Sequence, residues 1–396
     1  MKKLICGAMT VFSASLLFAI GSKDASGNAA AQTIAVAKNM THDEIVAKAK
    51  EEAAAAKSSG TIFKVYGTSS RIADAGKSFT QLYGIDVETT NVKDSEIYTK
   101  LQAEITGNVD GADVVLTQNG AVMKVQMIDT GYLLNYTPPT VVSDIDISDR
   151  EPLVHQYINK LFIYNTLGSN VPAITNVWQL TEPQMKGRVF FKSPETEKVN
   201  ENFLIMLTNK TWADKLAAAY KNLYGRDINL GEYKNAGYKW IAEFLANCSF
   251  ADSDTKMAEQ ISHQQASGRI GLFVLSKLRS KTVRTENLQV ASYYANSKNA
   301  DVEPFAGFMY PLYAMIVKTT TMPYTSMLFV EHLVTPTGFA PWSKDIGAYS
   351  SNNSISVNSE DRPLAYWRSR LVMEEPEYIN QAYADVFEFI SKQLAK

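Results

Sequence analysis

The sequence predicts an α/β protein made of two units, and three observations lead to this prediction. Strand-like and helix-like segments alternate regularly over residues 62–129. A second run of strands and helices follows over residues 160–274, and one strand-like segment at 311–317 returns toward the first run. Strands that alternate with helices at this spacing form mostly parallel sheets with helices on both faces.

The first unit follows a helix whose start is marked by the capping box Thr41-His42-Asp43-Glu44. In a capping box, the N-cap hydroxyl and the carboxylate three residues later satisfy backbone N–H groups reciprocally. Glycines or serines then separate the segments and end each helix. The expected strands are 62–66, 85–90 and 112–116, and the expected helices are Ile72–Tyr83, 94–105 and 121–129.

The second unit also has strands that alternate with helices. Its expected strands are 160–164, 188–191 and 269–274, and its expected helices are 203–207, 212–223, 238–246 and 257–265. The returning strand at 311–317 is followed by two further expected helices, Pro323–Leu333 and Pro376–Leu394. The length of 396 residues suits two domains of ordinary size.

The beginning of the chain has the pattern of an export signal. Lys2 and Lys3 precede an uncharged apolar run at 9–20, which is shorter than the ~20 residues that a membrane span needs. Cleavage is expected after Ala31, which would place the mature protein in the periplasm or outside the cell. Ile20 stands where a lipoprotein would need its cysteine, so the sequence disfavours a lipid anchor.

The composition excludes several function classes. The net charge of −2 gives no basic surface for nucleic acid or for an anionic membrane. The two cysteines are Cys6, within the expected signal, and Cys248, so the mature chain has no internal disulfide.

Candidate binding residues follow the strands, because ligands of open α/β sheets lie beyond the carboxyl ends of the strands. After the first strand, Gly67 permits close backbone approach, and hydroxyls and helix N–H groups suit an anionic or hydroxyl-rich ligand. A simple N-cap role for Ser69 or Ser70 is the structural alternative. The candidate ligand-binding residues are Thr68, Ser69, Ser70, Arg71, Gln118, Asn119, Tyr164, Asn165, Ser193, Glu195, Ser276, Lys277 and Tyr310.

Catalytic, metal and cofactor motifs are not found. Gly76-Lys77-Ser78 resembles the end of a phosphate-binding loop, but Arg71 stands where that motif needs glycine. The four histidines show no metal-ligand spacing, and no Gly-x-Ser-x-Gly segment occurs. Cys248 is expected to be a structural thiol. The sequence therefore predicts a protein without catalytic residues, metal or cofactor.

The order of several segments resembles the solute-binding proteins of ABC importers, in the two-lobed type 2 periplasmic class that includes ferric-iron, sugar-phosphate, phosphonate, thiamine and polyamine binders. These segments are Ile62-Phe63-Lys64-Val65-Tyr66-Gly67-Thr68, Trp178-Gln179-Leu180-Thr181-Glu182-Pro183, Lys186-Gly187-Arg188-Val189, Gly268-Arg269-Ile270-Gly271-Leu272, Tyr310-Pro311 and Thr337-Gly338-Phe339-Ala340-Pro341-Trp342. The resemblance implies a periplasmic-binding-protein-like fold, in which two lobes joined by crossing strands close on a ligand like a hinge.

The same resemblance implies domain limits and a partner. Residues 1–31 would be the signal and leader, 32–160 the first part of lobe 1, 161–304 lobe 2, and 305–396 the return to lobe 1 with the C-terminal helices. A monomer of this kind delivers its solute to the membrane permease of an importer, which makes it a transport protein and not an enzyme.

One departure from the ferric-binding relatives concerns the ligand. Those relatives carry adjacent tyrosines just after the strand equivalent to 269–274, where this chain has Leu275-Ser276-Lys277, and its Tyr293-Tyr294 pair comes later. A lysine there repels a cation, so the sequence favours an anionic or hydroxylated solute. The alternatives are ferric iron, a polyamine bound by Glu195 and Glu303, or a secreted enzyme on the same scaffold.

Overall fold

The computed structural model describes residues 25–107, 109–165, 167, 174–263, 268–279, 288–290 and 302–396. The expected signal segment 9–20 and the pair Tyr293-Tyr294 lie outside these residues. The expected cleavage point after Ala31 falls inside the first described helix, in which Ala30 and Ile34 are buried. None of the helices in the described part of the chain has the length and apolar character that crossing a bilayer requires.

The helices begin where side chains satisfy their first backbone N–H groups. The capping box between Thr41 and Glu44 is present, as the sequence predicts, and Asn209, Asn235 and Ser253 cap later helices with their side-chain oxygens. The helices are α1 Ala25–Ala37, α2 His42–Ser58, α3 Ile72–Tyr83, α4 Asp94–Gly107, α5 Gly120–Val122, α6 Lys198–Leu207, α7 Lys210–Tyr224, α8 Ala236–Asn247, α9 Asp254–Ser262, α10 Pro323–Leu333, α11 Pro336–Ser343, α12 Leu364–Arg368 and α13 Pro376–Leu394.

The described strands form a single mixed sheet. They are β1 Phe63–Gly67, β2 Val87–Asn91, β3 Val114–Thr117, β4 Leu133–Leu134, β5 Val154–Asn165, β6 Val189–Lys192, β7 Cys248–Ala251, β8 Ile270–Val274, β9 Leu288–Val290, β10 Gly307–Val317, β11 Ala348–Ser350 and β12 Val372–Met373. The order along the sheet is β2-β1-β3-β10-β5-β8-β6-β7, with β4 and β12 beside β10 and β9 and β11 beside β5.

The sheet has two halves joined by two long strands. The first half, β2-β1-β3-β10, has parallel pairs at its outer end, and the second half, β5-β8-β6-β7, has parallel pairs at the other end. Between them, β5 and β10 run antiparallel to each other along most of their lengths. At the start of β10, Gly307 has φ of 145° and a Cβ there would lie 2.1 Å from the Lys160 carbonyl oxygen, so glycine permits the crossing.

The long strand β10 separates two apolar cores. Its successive side chains point to opposite faces, as strand geometry requires. Leu312, Ala314 and Ile316 enter the core formed with α1, α2, α3, α10 and α11, while Tyr313, Met315 and Val317 enter a larger core that continues into the second half. The two halves are therefore packed on one continuous framework, and loops at their shared edge are held in fixed positions.

Strand β5 begins six residues earlier than the expected strand 160–164, and the polar residues in it explain why. Gln156, Asn159 and Lys160 interrupt the apolar pattern, yet all three are buried. Asn159 donates to the Tyr349 hydroxyl at 2.9 Å, and Lys160 is ion-paired, so these two side chains are held by partners that are distant in the sequence. The expected boundary between residues 160 and 161 falls inside this strand.

Two other segments differ from the sequence prediction. The expected helix 121–129 begins at Gly120 and continues as a π-helical turn, Met123–Ile128. Residues 248–251, which follow the expected helix 238–246 and are not among the predicted strands, form the short edge strand β7, which pairs in parallel with β6. Four residues carry little periodicity of their own, so the pairing with β6 defines this strand.

Candidate functional site

A cavity of about 690 Å³ lies between the two halves, at the edge where the parallel strands end. Residues from both halves line it, which is the position where open α/β sheets bind ligands. The side chains that line it include Thr68, Ser69, Arg71, Lys93, Asp94, Gln118, Gln156, Lys192, Ser193, Glu197, Phe250, Asp252, Asp254, Ser276, Lys277, Tyr310 and Trp342. The volume is in the range of small-molecule sites.

Most of the predicted binding residues come together in this cavity. Those that line it are Thr68, Ser69, Arg71, Gln118, Ser193, Ser276, Lys277 and Tyr310. They follow β1, β3, β6 and β8, apart from Tyr310, which lies within β10. The strand-end argument therefore accounts for seven of these eight residues, and the contact of all eight with a ligand stays a prediction.

The structure places Tyr164 and Asn165 away from this cavity. Both are at the end of β5, with the Tyr164 ring buried in the larger core. The Asn165 amide donates to the carbonyl oxygens of Ile261 and His263, at 2.8 and 3.0 Å, and so holds the end of α9. Because β5 runs antiparallel to its neighbours, its carboxyl end points to the edge opposite the cavity.

Ser70, Asn119 and Glu195 are near the lining but not part of it. Ser70 and Glu195 are exposed. Asn119 caps α5 in a left-handed conformation, with φ of 65°, and its Oδ1 accepts a hydrogen bond from Asn202 at 3.1 Å. That bond connects the two halves behind the cavity.

In the loop after β1, several of the groups that the sequence offers to a ligand have partners within the protein. The first N–H groups of α3 donate within the loop, from Ile72 to Ser69 and from Ala73 to Ser70, at 3.1 and 3.2 Å. The Arg71 guanidinium forms an ion pair with Asp345 and donates to the Trp342 carbonyl oxygen at 3.4 Å. Neither serine caps α3. The hydroxyls of this loop face the cavity while its strongest cationic group has a protein partner.

The lining also contains carboxylates that are not among the residues predicted from the sequence, and they lie near the predicted Tyr310. We call Asp94, Glu197, Asp254 and Tyr310 the cavity floor. Beneath it, fully buried Lys160 extends its Nζ to Glu197 Oε1 and to Asn200 Oδ1, each at 2.9 Å, and reaches Asp254 Oδ1 at 3.9 Å. Lys192 also forms an ion pair with Glu197.

These neighbours shift the pKa values of the floor residues in different directions. Burial would raise the pKa of Glu197, but Lys160 and Lys192 lower it to about 2. Burial raises the pKa of Asp94 to about 6, and the negative charge of Glu197 adds to this effect. Burial would lower the pKa of Lys160, but Asp254 and Glu197 raise it above its usual value. Glu197 and Lys160 therefore stay charged, while Asp94 titrates close to neutrality.

The same strand-end argument would have found these residues if it had been applied to every strand. Lys93 and Asp94 follow β2, and Asp252 and Asp254 follow β7. The sequence analysis did not examine the loop after β2 for a site, and it did not predict β7. Lys160 carries no sequence signal of its own, since an isolated lysine in an apolar strand is ordinarily exposed.

The described residues contain no group of three or more histidines, cysteines, aspartates or glutamates arranged to hold a metal ion. Burial raises the pKa of Tyr310 well above its usual value, and the charges of the nearby carboxylates add to this. Burial likewise raises the pKa of Cys248, so its thiol stays protonated.

Comparison with solved structures supports the fold. A ferric binding protein from Campylobacter jejuni matches with a TM-score of 0.62 and 13% identity, over 84% of this chain and 99% of that one. HitA from Pseudomonas aeruginosa, iron-bound, matches with a TM-score of 0.59 and 14% identity, over 84% and 99% of the two chains. AfuA from Actinobacillus pleuropneumoniae, a periplasmic binding protein with fructose-6-phosphate bound, matches with a TM-score of 0.59 and 15% identity, over 84% and 98%.

These likenesses confirm the predicted two-lobed periplasmic-binding-protein-like fold. At such low identities they establish the architecture and leave the ligand to be argued from the residues of this chain. No family model matches the sequence, and no curated protein matches it either.

Proposed function

We propose that this protein is the extracytoplasmic solute-binding component of an ABC importer, working as a monomer without catalytic activity. It captures a small polar solute, anionic or hydroxylated, in the cavity between its halves and delivers it to a membrane permease. The observation that carries the proposal is the cavity of about 690 Å³, lined by strand-end loops from both halves where β5 and β10 cross. A site shared by two lobes on crossing strands allows ligand binding to be coupled to hinge closure.

The lining residues favour a hydroxyl-bearing solute over a bare metal ion. Thr68, Ser69, Ser193 and Ser276 present hydroxyls to the cavity, and Lys277 adds a positive charge at its edge. Of the three solved structures described above, two are named for iron and the third has fructose-6-phosphate bound. The positive charge of Lys277 in the lining supports a solute closer in kind to the last of these than to ferric iron.

Export supports the same role. The basic start and apolar run at 9–20 would direct the chain to the periplasm or the cell exterior, where a soluble binder meets nutrients. Residues 1–31 would then be the signal and leader, with cleavage after Ala31, and the permease would recognise the closed protein.

The test is thermal melting of the full chain against phosphates, phosphonates, carboxylates, sugars, polyamines and Fe(III). A solute that binds only the folded state raises the melting temperature by mass action. We expect a rise with at least one hydroxylated or anionic solute and none with Fe(III).

A cavity-filling variant and a matched control locate the effect. Ser276→Phe places a ring in the cavity and should abolish the rise, whereas Ser356→Phe, at an exposed position outside the lining, should preserve it. A rise that persists in Ser276→Phe, or a protein that no member of the panel stabilises, would contradict the proposal.

A further inference from the structure

We propose that the solute of this cavity carries an ammonium group, and that this group binds between Asp94 and Asp254 on the cavity floor. The inference rests on the proposed function, since it assumes that the cavity is the binding site. It specifies the chemistry that the cavity floor recognises, while the hydroxyls and Lys277 account for the rest of the solute.

The first argument comes from buried acceptors that lack hydrogen bonds. Asp94 Oδ1, Asp254 Oδ1 and Gln156 Oε1 are buried atoms without a partner, and all three residues line the cavity. Gln156 is 1% exposed and lines the cavity, so a solute in the cavity can supply a donor to its Oε1. A buried acceptor left without a donor is destabilising. A ligand group rich in donors satisfies these atoms, whereas a phosphate or carboxylate at the same place adds more acceptors.

The second argument comes from the charges around Lys160. The ammonium of Lys160 has three donors, and two of them bond Glu197 and Asn200. Asp254 Oδ1, at 3.9 Å, is too far from Nζ for a hydrogen bond. Lys192 also pairs with Glu197, so the side-chain hydrogen bonds of the two ammonium groups go to Glu197 and Asn200, and Asp254 receives only the longer-range attraction of Lys160. At the floor, the three carboxylates Asp94, Glu197 and Asp254 therefore lie near only two ammonium groups, those of Lys160 and Lys192. When all of them are ionised, one negative charge is not neutralised, and an added cation is favourable in such a buried place.

The lining therefore offers two kinds of group. The floor offers carboxylate oxygens, while Thr68, Ser69 and Ser276 offer hydroxyls and Lys277 carries a positive charge. A solute with an amino group at one end and hydroxyl or anionic groups at the other matches both. Amino sugars, amino alcohol phosphates and diamines with polar ends are of this kind.

Binding of an ammonium group should depend on pH through Asp94. The groups that act on Asp94 are Glu197, Gln118, Lys160 and Lys192, with Glu374 behind it. Burial raises the pKa of Asp94 to about 6, so this carboxyl is mostly ionised above that pH and mostly protonated below it. Affinity for an amine should fall as the pH drops through this value, whereas a purely anionic ligand at the floor would bind more tightly.

The test compares solutes that differ in one amino group. Isothermal titration calorimetry with the full chain would use glucosamine against glucose, ethanolamine phosphate against ethylene glycol monophosphate, and 1,4-diaminobutane against 1,4-butanediol. In at least one pair the amine should bind about tenfold or more tightly than its partner, as expected for hydrogen bonds to a charged group.

Three variants locate the effect. Asp94→Asn and Asp254→Asn should each weaken binding of that amine by about ten- to hundredfold. Asp214→Asn, which alters an exposed carboxylate of the Lys210 pair on α7, should leave the affinity unchanged. Asp94→Asn removes a charge that burial disfavours, so its melting temperature without solute should not fall, which shows that the variant is folded.

Three results would overturn this inference while the proposed function stands. In the first, a solute without an amino group binds at least as tightly as its amine, and Ser276→Phe abolishes that binding. In the second, the amine binds equally well to the wild type and to Asp94→Asn. If no amine binds although the wider panel contains a solute that does, the inference fails alone, and if nothing in either set binds, both proposals fail.

Discussion

Lys160 and Glu374 are two buried ionisable side chains near the junction of the halves, and their surroundings are opposite. Lys160 lies against Glu197, with Asp254 near it, so its charge is compensated. The Oε1 of Glu374 accepts from the Asn202 amide at 3.1 Å, and its Oε2 is buried without a partner. Burial raises the pKa of Glu374 to about 8, and the charge of Asp94 acts in the same direction.

The difference shows that this protein accommodates buried ionisable groups near its cavity in two ways. Beneath the cavity it holds Lys160 against Glu197 and Asp254, where the lysine charge is compensated and the carboxylates are in excess. We call Lys160, Lys192, Glu197 and Asp254 the compensated cluster, after the lysine charge that it neutralises. Behind the cavity, α6 meets the segment between β12 and α13. There the protonated carboxyl group of Glu374 accepts a hydrogen bond from the Asn202 amide. The first arrangement suits recognition, and the second suits a contact between lobes that excludes strong charges.

The largest effect in this comparison is expected for Lys160→Met. The substitution leaves Asp254 and the buried side of Glu197 without their shared cation, and breaking a buried pair in this way costs about 3–5 kcal/mol. Urea unfolding measures the loss, and the double variant Lys160→Met with Glu197→Gln should recover part of it. Lys210→Met, which breaks an exposed pair with Asp214, is the control and should cost about 1 kcal/mol or less. Equal losses for the two lysines would contradict the compensated-cluster description.

Glu374→Gln should mainly change how the free energy of unfolding depends on pH, and should change its value at low pH less. The pKa of Glu374 rises from 4.5 to about 8 on folding, so the folded state binds its proton more tightly. Its stabilising contribution is full below pH 4.5 and is lost as the pH rises toward 8. In that window the wild type should lose up to about 1.4 kcal/mol per pH unit relative to Glu374→Gln.

Glu197→Gln is the matched control for this pH experiment, because it makes the same change in the compensated cluster. The pKa of Glu197 falls from 4.5 to about 2, so its contribution is present above pH 4.5 and is lost as the pH falls toward 2. Glu197→Gln should therefore destabilise the protein at neutral pH, unlike Glu374→Gln. Parallel pH profiles for the two variants would show that the two regions do not differ in charge state.

The smallest loss of stability is expected for Tyr378→Phe, in the uncharged contact behind the cavity. The Tyr378 hydroxyl bonds Thr208 Oγ1 at 2.8 Å, joining the start of α13 to the end of α6. Loss of one neutral hydrogen bond costs about 0.5–1.5 kcal/mol. Urea unfolding should show a loss in this range, and a loss as large as that of Lys160→Met would mean that neutral bonds behind the cavity matter as much as the ion cluster.

Much of the fold can be predicted from the sequence, because its elements have local signals. Helices Ile72–Tyr83, Pro323–Leu333 and Pro376–Leu394 have the expected bounds, and the capping box at Thr41 is formed as expected. The early part of β5 was missed because its polar residues are satisfied only by groups far away in the chain. The short strand β7 was missed because it exists through pairing with β6.

The candidate site was predictable in part for the same reason. Polar loops after β1, β3, β6 and β8 could be placed at one edge without any knowledge of contacts. The pairing of Arg71 with Asp345, far along the chain, and the position of Lys160 beneath the floor depend on tertiary packing. These contacts decide which charges face the solute, so the sequence indicates where a ligand binds better than which ligand it is.

The most direct measurement is a crystal structure of the full chain grown near neutral pH with the amine that binds most tightly in the calorimetric pairs. The account predicts that the solute lies in the cavity between the halves, with its ammonium group within hydrogen-bond distance of Asp94 and Asp254 and its polar end toward Ser276 and Lys277. A solute bound elsewhere on the protein, or one that turns its amino group away from the floor, would contradict it.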